Sequence, residues 1–183
     1  MMKMHTLDIP DVKIIEPDVY GDERGYFLET WSRKDYFESG IEEEFVQDNF
    51  SRSTRGVVRG LHYQIEMAQG KLVRCLLGEI FDVAVDLRSS SKTFGKWVGR
   101  ILSEENKFAM WIPPGFAHGF LVLSDIAHFQ YKCTNAYAPE HDRTIRWDDA
   151  DINIAWPFEE GQVPIASEKD ASGSSLRDAE VYS

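Results

Sequence analysis

The sequence is poor in cysteine, in positive charge and in long apolar runs. Its two cysteines, Cys75 and Cys133, are too few to build a disulfide framework in 183 residues. Each sits in an apolar, strand-like run, so buried free thiols in a reducing compartment are expected. Lysine and arginine number 20 against 31 aspartates and glutamates, a formal net charge of −11. That deficit argues against a general binder of nucleic acid or anionic membrane, and any phosphate must be held by a local basic cluster. No window approaches the roughly 18 consecutive apolar residues of a membrane span, and the opening MMKMHTLDIPDVKII lacks the apolar core of a signal peptide. These features read as a soluble, unexported, cytoplasmic protein. Histidine is scarce too, at five residues.

What the chain does have is strand pattern. Residues 79–87, EIFDVAVDL, place Phe81, Val83, Val85 and Leu87 on one face with Asp82 and Asp86 on the other, the alternation of a half-buried antiparallel strand. Similar runs lie at 57–65, 72–77, 97–102, 107–112, 118–123 and 126–133, separated by short segments with turn residues. Many short strands at this spacing predict an all-β sandwich or barrel of jelly-roll type. The one helix signal has Ser32 as cap, Asp35 three residues later as in a capping box, and Gly40 as terminator. The length suits a single domain over 1–183, which at this size buries roughly 70% of its unfolded surface. The closing ASGSSLRDAEVYS is polar, either a surface strap or a mobile tail.

Candidate chemistry gathers in two places. Between Ser51 and Arg74, five cations (Arg52, Arg55, Arg59, Lys71 and Arg74) meet a single carboxylate, Glu66. This is either a solvated basic edge or an anion site, since arginine forks match phosphate oxygens. Inside that window RGLHYQ contains His62, open to reading as a buried structural histidine, a metal ligand or a base. The segment WIPPGFAHGF has the PxGxxH spacing of the second cupin motif, ending on His118. A metal-binding cupin needs several converging imidazole and carboxylate ligands, yet His62 is followed only by Tyr63 and Gln64. No metal is therefore expected, and a metal-free site suits proton transfer beside a carbonyl. Tyr131, sharing a face with Phe129 and Cys133, is either core or a proton donor; Lys71, after Gly70, is either solvated or at the site mouth. Strict alternation sets Arg59 and His62 on opposite faces, unless Gly60 marks a bulge or Arg59 acts from the rim.

RGLHYQ, QGKLVRCLLGEIFDVAVDLR, WIPPGFAHGF, YKCTNAYAP and SEKD, taken in series, resemble the dTDP-4-dehydrorhamnose 3,5-epimerase family of metal-independent cupins, over about Ile14 to Asp170. The resemblance implies a cupin-type jelly roll with a few short helices, no cofactor, and inversion at C3 and C5 of dTDP-4-dehydro-6-deoxy-D-glucose. It assigns His62 as base, Asp170 as its carboxylate partner, Tyr131 as opposed donor and Lys71 as enolate stabiliser. Arg24, Glu29, Gln47, Asp48, Asn49, Arg59, His118 and Lys169 resemble the substrate-binding set, and Tyr137 the ring that stacks on thymine. It also implies a homodimer in which the N-terminal region reaches the other subunit's site. The chain departs from the family pattern at Tyr26, where Phe is common, and at Asp142 and Thr144, where many relatives carry Glu and Gly. Asp142 is the shorter carboxylate at that nucleotide contact.

Overall fold

The computed structural model describes residues 2–183. The N-terminal third forms β1 (Lys3–Thr6), β2 (Lys13–Glu16), β3 (Val19–Asp22), β4 (Gly25–Leu28), helix α1 (Arg33–Glu38) and β5 (Gln47–Thr54). The body follows with β6 (Val58–Gln64), β7 (Lys71–Leu77), β8 (Glu79–Asp86), β9 (Trp97–Ser103), β10 (Ala109–Ile112), β11 (Phe116–Val122) and β12 (Ile126–Cys133). A 3-10 turn (Pro139–His141), β13 (Asp142–Thr144) and helix α2 (Glu168–Ala171) complete the chain.

All seven runs expected as strands are strands. Helix α1 starts as expected, with the Ser32 hydroxyl accepting from the Asp35 amide at 3.3 Å, and Gly40 follows it at φ +79°. Antiparallel pairing arranges a six-stranded sheet, β1-β2-β10-β7-β12-β5, and a five-stranded sheet, β13-β6-β11-β8-β9, with β3 and β4 as a separate hairpin. The two sheets enclose Ile14, Val73, Ile80, Met110, Ile112, Phe116, Phe120, Val122 and Phe129. This is the cupin-type jelly roll.

Strand β8 is not half-buried as its alternation predicts. Ile80 and Ala84 face the inter-sheet core, whereas Val83, Val85 and Leu87 face outward and are equally buried. The outer face is covered by Ile145, Ile152, Trp156, Leu176, Val181 and Tyr182. Asp82 and Asp86 alternate with Ile80 and Ala84 on the inner face and are 0% exposed, and each needs compensating partners. Asp86 accepts from the Arg88 guanidinium at 2.9 and 2.8 Å, and from Ser91 and Thr93 at 2.6 Å each. Burial pushes its pKa up, but these bonds outweigh that and hold it at about 2.

The C-terminal residues form a strap. The Tyr182 amide donates to Leu87 O, the Ser89 amide to Tyr182 O, and the Tyr182 hydroxyl to Gln64 O at 2.6 Å. Tyr63, on the outer face of β6, donates its hydroxyl to Glu180 O at 2.6 Å. Cys75 and Cys133 are buried free thiols, and burial pushes the Cys75 thiol up to about 12. Among the described residues, no helix is long and apolar enough to cross a membrane.

Candidate active site

The site begins with an irregularity in β6. His62 pairs with His118 of β11 but Arg59 pairs with Phe120, so three steps on one strand match two on the other. That extra residue is a β-bulge, and it reverses the alternation. Gly60 sits there at φ +117°, and a Cβ at this position would lie 2.6 Å from both Gly119 Cα and His118 O. Only glycine fits the crossing. The Gly60–Leu61 peptide is cis. Arg59 and His62 thereby reach the same side: the Arg59 Nε donates to Ser53 Oγ of β5 at 3.0 Å, and His62 lines a recess between the sheets.

That recess is bounded by His62, Gln64, Gln69, Lys71, Tyr131, Tyr137, Asp142 and Lys169. Strand β6 supplies His62 from one sheet, while β7 and β12 supply Lys71 and Tyr131 from the other. His62 Nε2 meets Asp170 Oδ1 at 2.5 Å. A carboxylate is an acceptor only, so Nε2 carries its proton toward Asp170, and in the neutral ring Nδ1 is the nitrogen that keeps a lone pair. Asp170 is 4% exposed on α2, where Ser167 caps the helix and donates its hydroxyl to Asp170 Oδ2 at 2.8 Å. Burial raises the Asp170 pKa, but hydrogen bonds from His62, Ser167 and the Gly60 amide prevail and hold it below the ordinary carboxylate value.

Lys71 is not a solvated lysine. It is 8% exposed, its Nζ stands 5.9 Å from the centroid of the Tyr131 ring, and burial lowers its pKa. Tyr131 packs against Phe129 with centroids 5.5 Å apart, and burial raises its hydroxyl pKa. His118 stands behind the recess rather than in it. Its Nε2 bonds both oxygens of Asp82 at 3.0 Å, and its ring stacks on Phe129. Burial pushes His118 down and Asp82 up, each toward its neutral form.

The nucleotide-side candidates lie at the mouth. Tyr137 is exposed and donates its hydroxyl to Asp142 at 3.2 Å, while Lys169 forms an ion pair with the same carboxylate. The shorter Asp142 side chain still reaches both groups. Gln47 and Asn49 face inward on β5 and bond each other at 3.0 Å, whereas Asp48 faces outward and pairs with Lys132. Arg24 and Glu29 lie on and just after the β3–β4 hairpin, outside the His62 recess, with Arg24 paired to Asp22.

The basic run proves not to be one cluster. Arg59 and Lys71 turn inward, Arg55 pairs with Asp125 and Glu159, and Arg74 faces outward beneath Tyr36 and Glu29. Strand alternation disperses charges that are neighbours in sequence. Gln64 and Gln69 line the recess without having been singled out. Gln64 follows His62 by two residues, so the same-face spacing was its signal. Among the described residues, no three His, Cys, Asp or Glu side chains are grouped to hold a metal ion.

The family model for dTDP-4-dehydrorhamnose 3,5-epimerase matches residues 6–178. An enzyme of that name from Pseudomonas aeruginosa is 57% identical over 182 residues, covering 99% of each chain. The crystal structure of a dTDP-6-deoxy-D-glucose-3,5-epimerase from Legionella pneumophila in complex with dTDP-4-keto-L-rhamnose superposes with a TM-score of 0.95 at 54% identity, covering 98% of this chain and 95% of that one. A 3'-monoepimerase from Streptomyces bikiniensis in complex with dTDP-quinovose superposes at 0.87 with 33% identity, covering 95% and 88%. On the strength of the full-length match and this identity, the chain belongs to the dTDP-4-dehydrorhamnose 3,5-epimerase family.

Proposed function

We propose that the protein inverts C3 and C5 of dTDP-4-dehydro-6-deoxy-D-glucose, giving dTDP-4-dehydro-L-rhamnose for dTDP-L-rhamnose biosynthesis. The observation that carries this reading is the His62–Asp170 pair on one wall of a recess whose opposite wall presents Tyr131 and Lys71. The C4 ketone acidifies the hydrogens at C3 and C5. His62 Nδ1 takes the proton, and the electron pair left on carbon moves into an enolate whose oxygen at C4 meets the Lys71 ammonium. Tyr131 returns a proton to the opposite face of the same carbon, and that change of face is the inversion. Proton exchange with solvent returns His62 to its free base and Tyr131 to its phenol, and repetition at the second carbon completes the reaction without a cofactor.

The thymine ring stacks on Tyr137, and Gln47, Asn49, Arg59, Asp142 and Lys169 make up the substrate-binding set from this subunit, with His118 behind the recess on Asp82 and Asp48 turned outward to Lys132. Arg24 and Glu29 act from a second copy. Their hairpin exposes Val19, Tyr20, Tyr26 and Phe27, an apolar surface suited to a homodimer interface. The protein acts in the cytoplasm as one domain.

Incubation with the dTDP-4-keto sugar in deuterium oxide tests substrate, reaction and regiochemistry together. Label at both C3 and C5 is expected. Label at one carbon alone replaces this reading with mono-epimerisation, the activity of the Streptomyces bikiniensis neighbour. Loss of activity in EDTA would overturn the metal-free route, and a monomer by light scattering would overturn the two-subunit site.

A further inference from the structure

Gln64 is the one fully buried amide at the recess, at 2% exposure, and its side chain ties the β6–β7 loop to the segment after β12. Its Nε2 donates to Met67 O at 2.9 Å and to Ala136 O at 3.3 Å, and its Oε1 accepts from the Ala138 amide at 2.9 Å. Ala136 and Ala138 flank Tyr137. The amide of Tyr137 itself donates to Gln47 Oε1 at 2.9 Å. From the β6–β7 loop, Gln69 donates to Asn135 O at 2.9 Å. The backbone around Tyr137 is therefore held by side-chain amides instead of a neighbouring strand.

The Tyr137 ring is 56% exposed, so packing does little to fix it. Its place follows from its backbone and from one bond to Asp142. Among side chains, an amide alone offers two neutral N–H donors on one atom and an acceptor beside it in one rigid plane, and at this point two carbonyls must be met on one side and an N–H on the other. We propose that Gln64 is the positioning residue for the Tyr137 ring, setting where the nucleobase stacks relative to the reacting carbons. Gln64 stands two residues from His62 on the same strand and face, so one rigid element registers the base and the stacking ring against each other. This inference rests on the reading of Tyr137 as the nucleobase platform.

The test measures dTDP binding by calorimetry, together with KM and kcat, for Gln64→Met, Gln64→Glu, Tyr137→Ala and the Gln64→Met/Tyr137→Ala double variant. Stacking on an aromatic ring is worth about 1–3 kcal/mol by alanine substitution, so Tyr137→Ala should weaken dTDP binding by about 5- to 150-fold. Gln64→Met should weaken it about tenfold and raise KM alike, with kcat within about twofold. The double variant should bind no more weakly than Tyr137→Ala, because both changes remove one platform. Gln64→Glu, which keeps the volume but turns an oxygen toward two carbonyls, should show the same split, and binding is measured well below each variant's melting temperature so that folded proteins are compared. Either folded Gln64 variant binding dTDP as the parent does, or a double variant losing the full product of the two effects, overturns the inference. If Tyr137→Ala binds dTDP normally, the platform reading falls and takes the inference with it; a normal Gln64 variant beside a weakened Tyr137→Ala overturns the inference alone.

Discussion

Replacing Lys71 with methionine should abolish most activity while leaving the fold at least as stable. Methionine keeps the length and apolar contacts of the lysine stem and removes only the ammonium. At 8% exposure little solvent screens that charge, and an ammonium about 4 Å from an enolate oxygen at an effective dielectric of about 20 contributes about 4 kcal/mol. Mutational losses of a single oxyanion donor run at about 10²–10³ in kcat, which agrees. Deuterium wash-in at C3 and C5 should therefore fall together by about 10²–10³, with KM changed far less, because the charge is met fully only in the enolate. Stability should move the other way. Burial lowers the Lys71 pKa from its ordinary 10.5, so the unfolded chain binds the proton more tightly, and holding the ammonium in the fold costs stability at neutral pH. Removing it should leave the melting temperature equal or higher, and the parent's stability should rise as pH climbs toward 10.5. A Lys71→Met enzyme within tenfold of the parent, or one losing exchange at a single carbon, refutes the enolate role. A melting temperature several degrees lower refutes the electrostatic account of the burial.

Asp170→Asn should cut exchange at both carbons by about 10²-fold, since general acid–base catalysis typically contributes about 10²–10⁴ and the amide no longer holds His62 in the tautomer that frees Nδ1. Because the Asp170 pKa is depressed below 3.8, its stability contribution is present above that value and lost as pH falls through the folded one, so the variant's acid-unfolding curve should be flatter than the parent's. Gly60→Ala places a methyl 2.6 Å from two backbone atoms at φ +117°, and should cost several kcal/mol by urea unfolding, about the upper range for strained backbone substitutions, with activity lost in whatever folds. Tyr182→Phe removes the 2.6 Å bond to Gln64 O and should cost about 1 kcal/mol in the same assay.

What the sequence made legible follows from where apolar periodicity survives. Strands β6 to β12 carry enough Val, Ile, Leu and Phe on their inner faces to be read directly. Strand β5 does not, because its inward residues are Gln47, Asn49, Ser51 and Ser53 while Phe50 points outward. Its polarity is inverted where the inner face becomes the wall of a wet site, so the feature that hides the strand is the feature that makes it functional. Strand β8 fails in the opposite sense. Its alternation is real, but the cover over its outer face comes from Ile145, Ile152, Trp156, Leu176, Val181 and Tyr182, scattered through a polar segment with no period to announce them.

The same distinction separates the two halves of the proposed base. His62 is visible locally, since a histidine in a strand beside a basic run is an unusual local pattern. Asp170 lies 108 residues away in a four-residue helix, and nothing in SEKD alone says that its carboxylate is buried. Only the resemblance of the motifs in series placed it. Arg59 shows the remaining gap: its face depends on a one-residue bulge, and a strand with a glycine reads the same whether the glycine is paired or extra. The structure resolves this because Gly60 and Gly119 cross within contact distance, which requires both strands at once. Two glycines on neighbouring strands, each at the point where the other's backbone passes, are thus what brings Arg59 and His62 to one side of the recess.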